Sequence, residues 1–145
     1  MTVNHSIAIL PFKIESYDAV RLLWQTCEGL GLSEADSREN IQVFLRRNPG
    51  LSFIAQIDDR VVGSLLGAQD GRRGFLYHLA VHPAYRRQGL GRRLVDRCLD
   101  RLQEIGIEKC HVFVFAENSA GVEFWKSLDW QPRTDLLVLS KLLSG

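Results

Sequence analysis

The chain has 145 residues and a formal net charge of +1, which predicts one compact domain over residues 1–145 with no general attraction to nucleic acid. Its three cysteines are too few and odd in number for a disulfide framework, and no Cys/His spacing predicts a metal site. We find no signal-peptide pattern and no run of about 20 apolar residues, so we expect a cytoplasmic protein that does not enter the membrane.

The first 50 residues predict a strand followed by two helices. The short apolar run Ser6–Phe12 is typical of a strand. A helix should follow, with Ser16 or Asp18 as its N-terminal cap and with its end at the next pair of glycines. A second helix is predicted over Glu34–Arg47, because Ser33 can cap it and apolar residues recur along one face.

The middle of the chain predicts a hairpin and a further strand. Ser52–Ile57 and Val61–Ala68 are apolar runs joined by a short polar link, which is typical of a β-hairpin. A turn with two glycines then leads to a strand over Phe75–Val81. The dipeptide His82-Pro83 should end this strand, because proline has no N–H group for the ladder.

The last third of the chain predicts alternating helices and strands. The clearest helix, Leu90–Ile105, has apolar residues at helical spacing, and a strand over Cys110–Phe115 should follow it. Asn118 is expected to cap a short helix, and a last strand or hairpin should use Trp130 and Leu136–Leu139. This order of elements is typical of a mixed α/β domain with a largely antiparallel sheet and helices on its faces.

The stretch Arg86–Leu94 is the most informative part of the sequence. It lies between a strand and a helix and carries Gly89 and Gly91, which let the backbone approach a ligand closely. Four arginines flank the turn, and the start of a helix offers unpaired N–H groups and a positive dipole end. The pattern predicts a phosphate or pyrophosphate site, although an ordinary helix start with surface arginines has the same local features.

These residues resemble the GNAT superfamily of N-acetyltransferases. Residues 86–91, Arg-Arg-Gln-Gly-Leu-Gly, match its R/Q-x-x-G-x-G/A signature, and the preceding Leu-Ala-Val-His-Pro of residues 79–83 matches its lead-in strand. Asn118 and Trp125 stand where the family has N-x-x-A-x-x-L/F-Y. The chain is similar to small bacterial stand-alone members, including the type that acetylates ribosomal-protein N-termini. The resemblance implies a twisted, mostly antiparallel sheet of about six to seven strands, flanked by about four helices.

The resemblance also implies acetyl-CoA as cosubstrate and no metal. The lead-in strand would pair its main chain with the pantetheine arm, and the glycine turn would surround the pyrophosphate with amides. The residues implied to bind the cofactor are Leu79, Ala80, Val81, Arg86, Arg87, Gln88, Gly89, Leu90, Gly91, Arg92 and Asn118.

Neither of the family's usual proton-transfer residues is present. The resemblance places Trp125 at the position of a tyrosine acid and Phe113 at the position of a glutamate base. An indole N–H can donate a hydrogen bond but is not an acid. His78 is the main candidate base, because an imidazole titrates near neutrality, while a purely structural, hydrogen-bonded histidine fits the same pattern. The remaining candidates for proton transfer are Tyr77, Tyr85, His111 and Glu117.

We therefore expect an N-acetyltransferase that moves an acetyl group from acetyl-CoA to a primary amine by direct attack. The acceptor is a peptide or protein N-terminus, a lysine or a small-molecule amine, and the sequence does not choose between them. The alternative is a CoA-binding regulatory or sensor protein on the same fold with little turnover, which the missing tyrosine favours. A nucleic-acid partner is disfavoured, because acidic residues interrupt the arginines of the long helix.

The acceptor amine is expected between the first two helices and the sheet. Acidic or aromatic side chains that can line such a pocket are Trp24, Glu28, Asp36 and Asp70. The apolar segment Leu136–Leu143 is a candidate homodimer contact, although a terminal strand of this kind often only completes its own sheet.

Overall fold

The computed structural model describes residues 6–144, which divide into two compact units that meet in sequence between Phe113 and Val114. The strands are β1 Ala8–Pro11, β2 Phe53–Ile57, β3 Arg60–Gln69, β4 Gly74–Val81 and β5 Cys110–Val112. The α-helices are α1 Tyr17–Thr26, α2 Arg38–Arg47, α3 Leu90–Glu104 and α4 Ser119–Ser127. Single 3-10 turns occur at Ile14–Ser16, Glu34–Asp36 and Pro83–Tyr85. The mixed α/β class and the four helices are confirmed.

The first unit contains one five-stranded sheet in the order β1-β2-β3-β4-β5. The first three pairs of strands are antiparallel, and β5 joins β4 in parallel. The largely antiparallel sheet is thus confirmed. The expected number of six to seven strands is wrong for the described residues, which form five.

The two discrepancies in strand number and length lie near the C-terminus. The predicted strand Cys110–Phe115 ends at Val112, and the predicted last strand at Trp130 and Leu136–Leu139 has no strand pairing. The side chain of Leu139 is 89% exposed. An apolar segment forms a strand only when a neighbouring strand supplies hydrogen bonds and a packing surface, and no strand within residues 6–144 pairs with this segment.

The predicted second helix is divided in two. Ser33 and Asp36 form a capping box that closes the 3-10 turn Glu34–Asp36. Ser37 then adopts an extended conformation, and its side chain accepts a hydrogen bond from the N–H of Asn40 to begin α2. Ser33 therefore caps the short turn and not the helix, because a second serine offers a new N-terminal cap four residues later.

Helix α1 also differs at its ends from the expectation. It ends at Thr26, before the glycines that were expected to end it, and Ser16 occupies the N-cap position without a side-chain capping bond. Asp18 lies inside the first turn. Ser16 therefore marks the start of α1 without stabilising it through its side chain. The helix is stabilised mainly by the burial of one face, which includes Val20, Leu23 and Trp24.

The core of the first unit lies on both faces of the sheet. On one face, α1 and α2 bury an apolar cluster that includes Trp24, Ile41, Leu66 and Ala80. The indole N–H of Trp24 donates to the buried Ser64 hydroxyl at 2.9 Å. Helix α3 contacts β2, β3 and β4 and buries its apolar stripe, which consists of Leu90, Leu94, Val95, Cys98 and Leu102.

The second unit is built around α4. The side chain of Asn118 accepts a hydrogen bond from the N–H of Gly121 at 3.0 Å, which confirms the predicted cap. Trp125 is buried, and its ring centroid lies 4.8 Å from that of Trp130. The single domain over residues 1–145 stays a prediction. In the described part of the chain no helix is long and apolar enough to cross a membrane.

Candidate active site

Strand β4 contains a β-bulge at His78. Ser64 pairs with Ala80 and Leu66 pairs with Tyr77, so that His78 and Leu79 together oppose Leu65. His78 has a φ of +51°, in the left-handed region that non-glycine residues seldom adopt. A bulge of this kind re-aims a side chain and interrupts the ladder, and bulges are over-represented next to active sites.

Beyond the bulge, β4 has an edge that no strand formed by residues 6–144 covers. Strand β5 pairs only with Gly74–Leu76, so Tyr77–Val81 continues without it. The N–H of His82 donates to Val62 of β3, and the adjacent Val81 therefore directs its main-chain groups toward the other edge. Backbone groups at such an edge need partners, and an extended, amide-bearing ligand can supply them. This is the arrangement expected for the lead-in strand.

The carbonyl of Val81 at this edge is contacted by two side chains. The Nε of Arg86 donates to it at 3.0 Å, and the thiol of Cys27 lies 3.6 Å from it. Burial raises the pKa of the Cys27 thiol, and the hydrogen bond and charge of Arg86 oppose that shift. The side chain of Arg86 thus binds the strand edge in this structure, and its contact with the cofactor stays a prediction.

The turn that follows has the backbone geometry of a close approach. Arg87 and Gly89 have φ values of +63° and +77°, and Gly89 is the N-cap of α3 without a side-chain capping bond. The uncapped first turn therefore leaves N–H groups with the positive end of the helix dipole behind them. A Cβ built on Gly89 meets no atom within 4 Å, so the space in front of the turn is open. The turn fits a pyrophosphate held by main-chain amides.

The side chains of this region divide into buried and exposed. Leu90 and Ala80 are buried in the core, so any ligand contact by these residues uses the main chain. Arg92 is exposed with its Nε 3.8 Å from Asp96, while Gln88 and Arg87 are exposed on the turn. Gly91, the second residue of α3, is buried.

His78 makes a short contact with Asp36. Its Nε2 lies 2.7 Å from Oδ1 of Asp36, and its ring packs at a steep angle on Trp24 with the centroids 5.2 Å apart. Asp36 is 6% exposed. Both residues are candidates from the sequence, but no sequence pattern predicts that they contact each other. The capping pattern Ser33-x-x-Asp36 was the only local signal that the carboxylate is fixed.

The side chains predicted to line an acceptor pocket lie in different surroundings, and the binding of an acceptor there stays a prediction. Trp24 is 1% exposed and, like Asp36, does not line an open surface. Asp70 accepts hydrogen bonds from the N–H groups of Arg73 and Arg72, which lower the pKa of its carboxyl group. Its carboxylate therefore stabilises its own turn. An open depression does lie between α1 and the start of α2, and its lining residues are Tyr17, Asp18, Arg21, Leu22, Gln25, Glu34, Ser37 and Arg38.

The other candidates for proton transfer in the first unit pack against neighbouring aromatic or imidazole rings. Tyr77 packs among the rings of Phe44, Phe75 and Phe113, and its burial raises the pKa of the phenol. Tyr85 packs on the ring of His82. His111 lies against Phe75 in a tilted ring contact. Phe113, at the position of the family's glutamate, is 61% exposed.

The protein is a mixed α/β fold in which a bulged strand leads into a turn with positive φ values and then into a helix without a side-chain cap. This arrangement can accept an extended ligand that carries a phosphate group. The profile of the Acetyltransferase (GNAT) family matches residues 17–130. An acetyltransferase of Sodalis glossinidius is 32% identical over 132 residues, which are 91% of this chain and 92% of that protein. This chain therefore belongs to the GNAT family.

Solved structures of the family share the fold. The PaiA N-acetyltransferase of Thermoplasma acidophilum, in complex with coenzyme A, has a TM-score of 0.73 and 20% identity over 85% of this chain and 88% of its own. The ribosomal-protein-S18-alanine N-acetyltransferase of Escherichia coli has a TM-score of 0.70 and 21% identity. The match covers 90% of this chain and 86% of that chain. The protein is an acetyl-CoA-dependent acetyltransferase, with acetyl-CoA as its cosubstrate.

Proposed function

We propose that the protein transfers the acetyl group to the nitrogen of a primary amine by direct attack, with His78 as the proton acceptor. The observation that carries this proposal is the bulge in β4. It directs the imidazole of His78 toward α1, at the point where β4 also begins to present a free main-chain edge. A proton acceptor and a binding edge are thus combined at one place on one strand.

The cofactor is proposed to bind along β4 and the turn after it. The main-chain edge of Leu79–Val81 would pair with the pantetheine arm, and an N–H group at the bulge would stabilise the developing oxyanion. The amides of residues 86–92 would hold the pyrophosphate, in the space that a Cβ on Gly89 would enter. Asn118 is proposed to contact the pantetheine arm on the family resemblance, beside its capping role.

Direct attack is favoured over a covalent acetyl-enzyme. Burial raises the pKa of Cys98 to about 12 and that of Cys110 to about 11. The pKa of Cys27 is also raised by burial. A thiol is nucleophilic as the thiolate, which these shifts disfavour at neutral pH. The cosubstrate supplies an acetyl group activated as a thioester, and the protein's task is to orient the amine and accept its proton.

Trp125 replaces the family's tyrosine and is proposed to act without donating a proton. Its indole N–H can stabilise a departing thiolate by a hydrogen bond but cannot protonate it. The thiolate of coenzyme A is a good leaving group and can depart unprotonated. A CoA-binding regulator with little turnover is the second candidate function, and the replacement at Trp125 is the observation that favours it.

The acceptor is proposed to approach through the depression between α1 and α2. Its rim carries acidic Asp18 and Glu34 beside basic Arg21 and Arg38, which suits an acceptor with both charged and polar groups, such as a peptide end. The Escherichia coli neighbour is named as a ribosomal-protein-S18-alanine N-acetyltransferase, so the acceptor in that name belongs to a protein. A peptide N-terminus is therefore the first acceptor class to test, followed by lysine and small amines.

The test combines calorimetric titration with a turnover assay. We expect micromolar binding of acetyl-CoA, much weaker binding of ATP, and transfer to at least one amine of a panel of N-terminal peptides, lysine, polyamines and aminoglycosides. His78→Gln should lower kcat by about 100-fold, the lower end of general-base contributions, and leave the affinity for acetyl-CoA unchanged. Tight binding without turnover on the whole panel would support the regulator, and absence of binding at millimolar acetyl-CoA would contradict the assigned site.

A further inference from the structure

We propose that Asp36 is the positioning residue for His78, and that it selects Nδ1 of the imidazole as the atom that accepts the proton of the amine. This inference rests on the proposed function, because it assigns a role within the same site. The Asp36–His78 pair is formed by a 3-10 turn before α2 and by the bulge of β4, which are 42 residues apart in sequence. The contact is therefore a product of the tertiary fold.

Asp36 is held as an acceptor by its own turn. Its Oδ2 accepts the N–H of Ser33 at 3.0 Å, and its Oδ1 faces His78 at 2.7 Å. Its main-chain carbonyl accepts the hydroxyl of Tyr17 at 2.5 Å and lies 3.5 Å from a guanidinium nitrogen of Arg21. Oδ2 thus faces an N–H donor and Oδ1 faces an imidazole nitrogen, and the main chain is anchored to α1. An ionised carboxylate in this position has no proton to give.

The position of Asp36 fixes the tautomer of His78. Because the carboxylate only accepts, Nε2 carries the proton and donates it, which leaves the lone pair on Nδ1. Within residues 6–144, Nδ1 makes no hydrogen bond, and no buried side-chain nitrogen there lacks a partner. Nδ1 therefore reaches solvent. The ring of Trp24 packs on the imidazole and restricts its rotation.

In the proposed step, the amine takes the acetyl group and its proton passes to His78. The amine nitrogen forms a bond to the acetyl carbon with its lone pair, the bond from that carbon to sulfur breaks, and the sulfur departs as thiolate. The proton lost from the nitrogen passes to Nδ1 of His78, and the imidazolium is stabilised by Asp36 through Nε2–H. Solvent later takes the proton from Nδ1. Asp36 touches neither the amine nor the acetyl group, so it acts through His78.

The activity test uses a double-mutant cycle on the full-length protein. Asp36→Asn should lower kcat by about tenfold with little change in KM for acetyl-CoA, because the imidazole loses its fixed tautomer and the charge that stabilises the imidazolium. In a His78→Gln background, Asp36→Asn should cause no further loss of kcat. The matched control is Ser33→Ala, which removes the side-chain cap of the same turn but keeps its main-chain N–H and the carboxylate. It should retain kcat within about twofold.

The tautomer of His78 can be measured in the wild-type protein, so this second test does not depend on the folding of Asp36→Asn. Nitrogen-15 NMR of the imidazole of His78 in the wild-type protein, recorded at a pH where the ring is neutral, should show protonated Nε2 and unprotonated Nδ1. The opposite tautomer, or independent losses of kcat in the double-mutant cycle, would overturn the role of Asp36. A wild-type protein that binds acetyl-CoA but acetylates no amine would instead overturn the proposed function, and the NMR result would still report on the Asp36–His78 pair.

Discussion

The glycine turn before α3 allows a prediction with a matched control in the same helix. Gly89 precedes α3 with a φ of +77°, and Gly106 follows it with a φ of +88°. A Cβ on either glycine meets no atom within 4 Å. Alanine at these positions therefore causes the same kind of backbone strain and no clash. Only Gly89 lies where the phosphates of the cofactor are proposed to bind.

The magnitudes follow from the backbone alone. A left-handed conformation costs a non-glycine residue about 1–2 kcal/mol. For a chain of this length that lowers the melting temperature by about 3 °C per kcal/mol. Gly89→Ala and Gly106→Ala should thus lower the melting temperature by similar amounts, roughly 3–6 °C. For acetyl-CoA affinity the two should differ, because the new methyl group of Gly89→Ala enters the space of the pyrophosphate. We expect the Kd of Gly89→Ala for acetyl-CoA to rise at least tenfold, which corresponds to a loss of about 1.4 kcal/mol of binding free energy.

The assay is calorimetric titration of both variants with acetyl-CoA, beside thermal unfolding in the absence of ligand. Gly106→Ala should keep the wild-type Kd. A Gly89→Ala variant with the wild-type Kd would refute the assignment of this turn to the phosphates. Equal weakening of Kd in both variants would show that the effect arises from the fold of α3 and not from the site.

Three further predictions concern the core and the family's second motif. Ser64→Ala leaves the buried indole N–H of Trp24 without an acceptor and should lower the free energy of unfolding by about 1–3 kcal/mol, measured by urea unfolding; no change would mean that another acceptor is reached. Trp125→Tyr should keep acetyl-CoA affinity and raise kcat if an acid is missing, and a fall in kcat with intact binding would give the indole a positive role. Because burial raises the thiol pKa values of Cys98 and Cys110, the unfolded state loses these protons first. Their contribution to stability should be constant below the ordinary thiol pKa and decline as pH rises toward about 11 and 12, and Cys→Ser variants should flatten that part of the pH–stability curve.

Local signals predicted the backbone elements around the glycine turn well, while cofactor binding by its residues stays a prediction. The spacing of apolar residues predicted α3, which the structure places at Leu90–Glu104, and His82-Pro83 correctly marked the end of β4 at Val81. The positive φ of Gly89 is a local property that glycine itself indicates. These features depend on neighbours in sequence, and the sequence therefore contains them almost completely.

The surroundings of His78 depend on tertiary contacts that the sequence does not show. The bulge at His78 is hidden in the sequence, because the run around it is apolar and aromatic on both faces and shows no break in period. The bond between Asp36 and His78 joins elements that are distant in sequence, and only the packing of α1 and α2 on the sheet brings them together. The last strand was predicted from its composition, which supplies propensity but no pairing partner.

The left-handed backbone of His78 restricts which amino acids the position can accept during evolution. Histidine, asparagine, aspartate and glycine tolerate a φ of about +50° far better than glutamate, tyrosine or any β-branched residue. A change of the proposed general base at this point of β4 is therefore limited to a few side chains, of which only histidine and aspartate can hold a proton. New acceptor specificities would more readily arise on the rim of the depression, where α1 and α2 impose no such backbone condition.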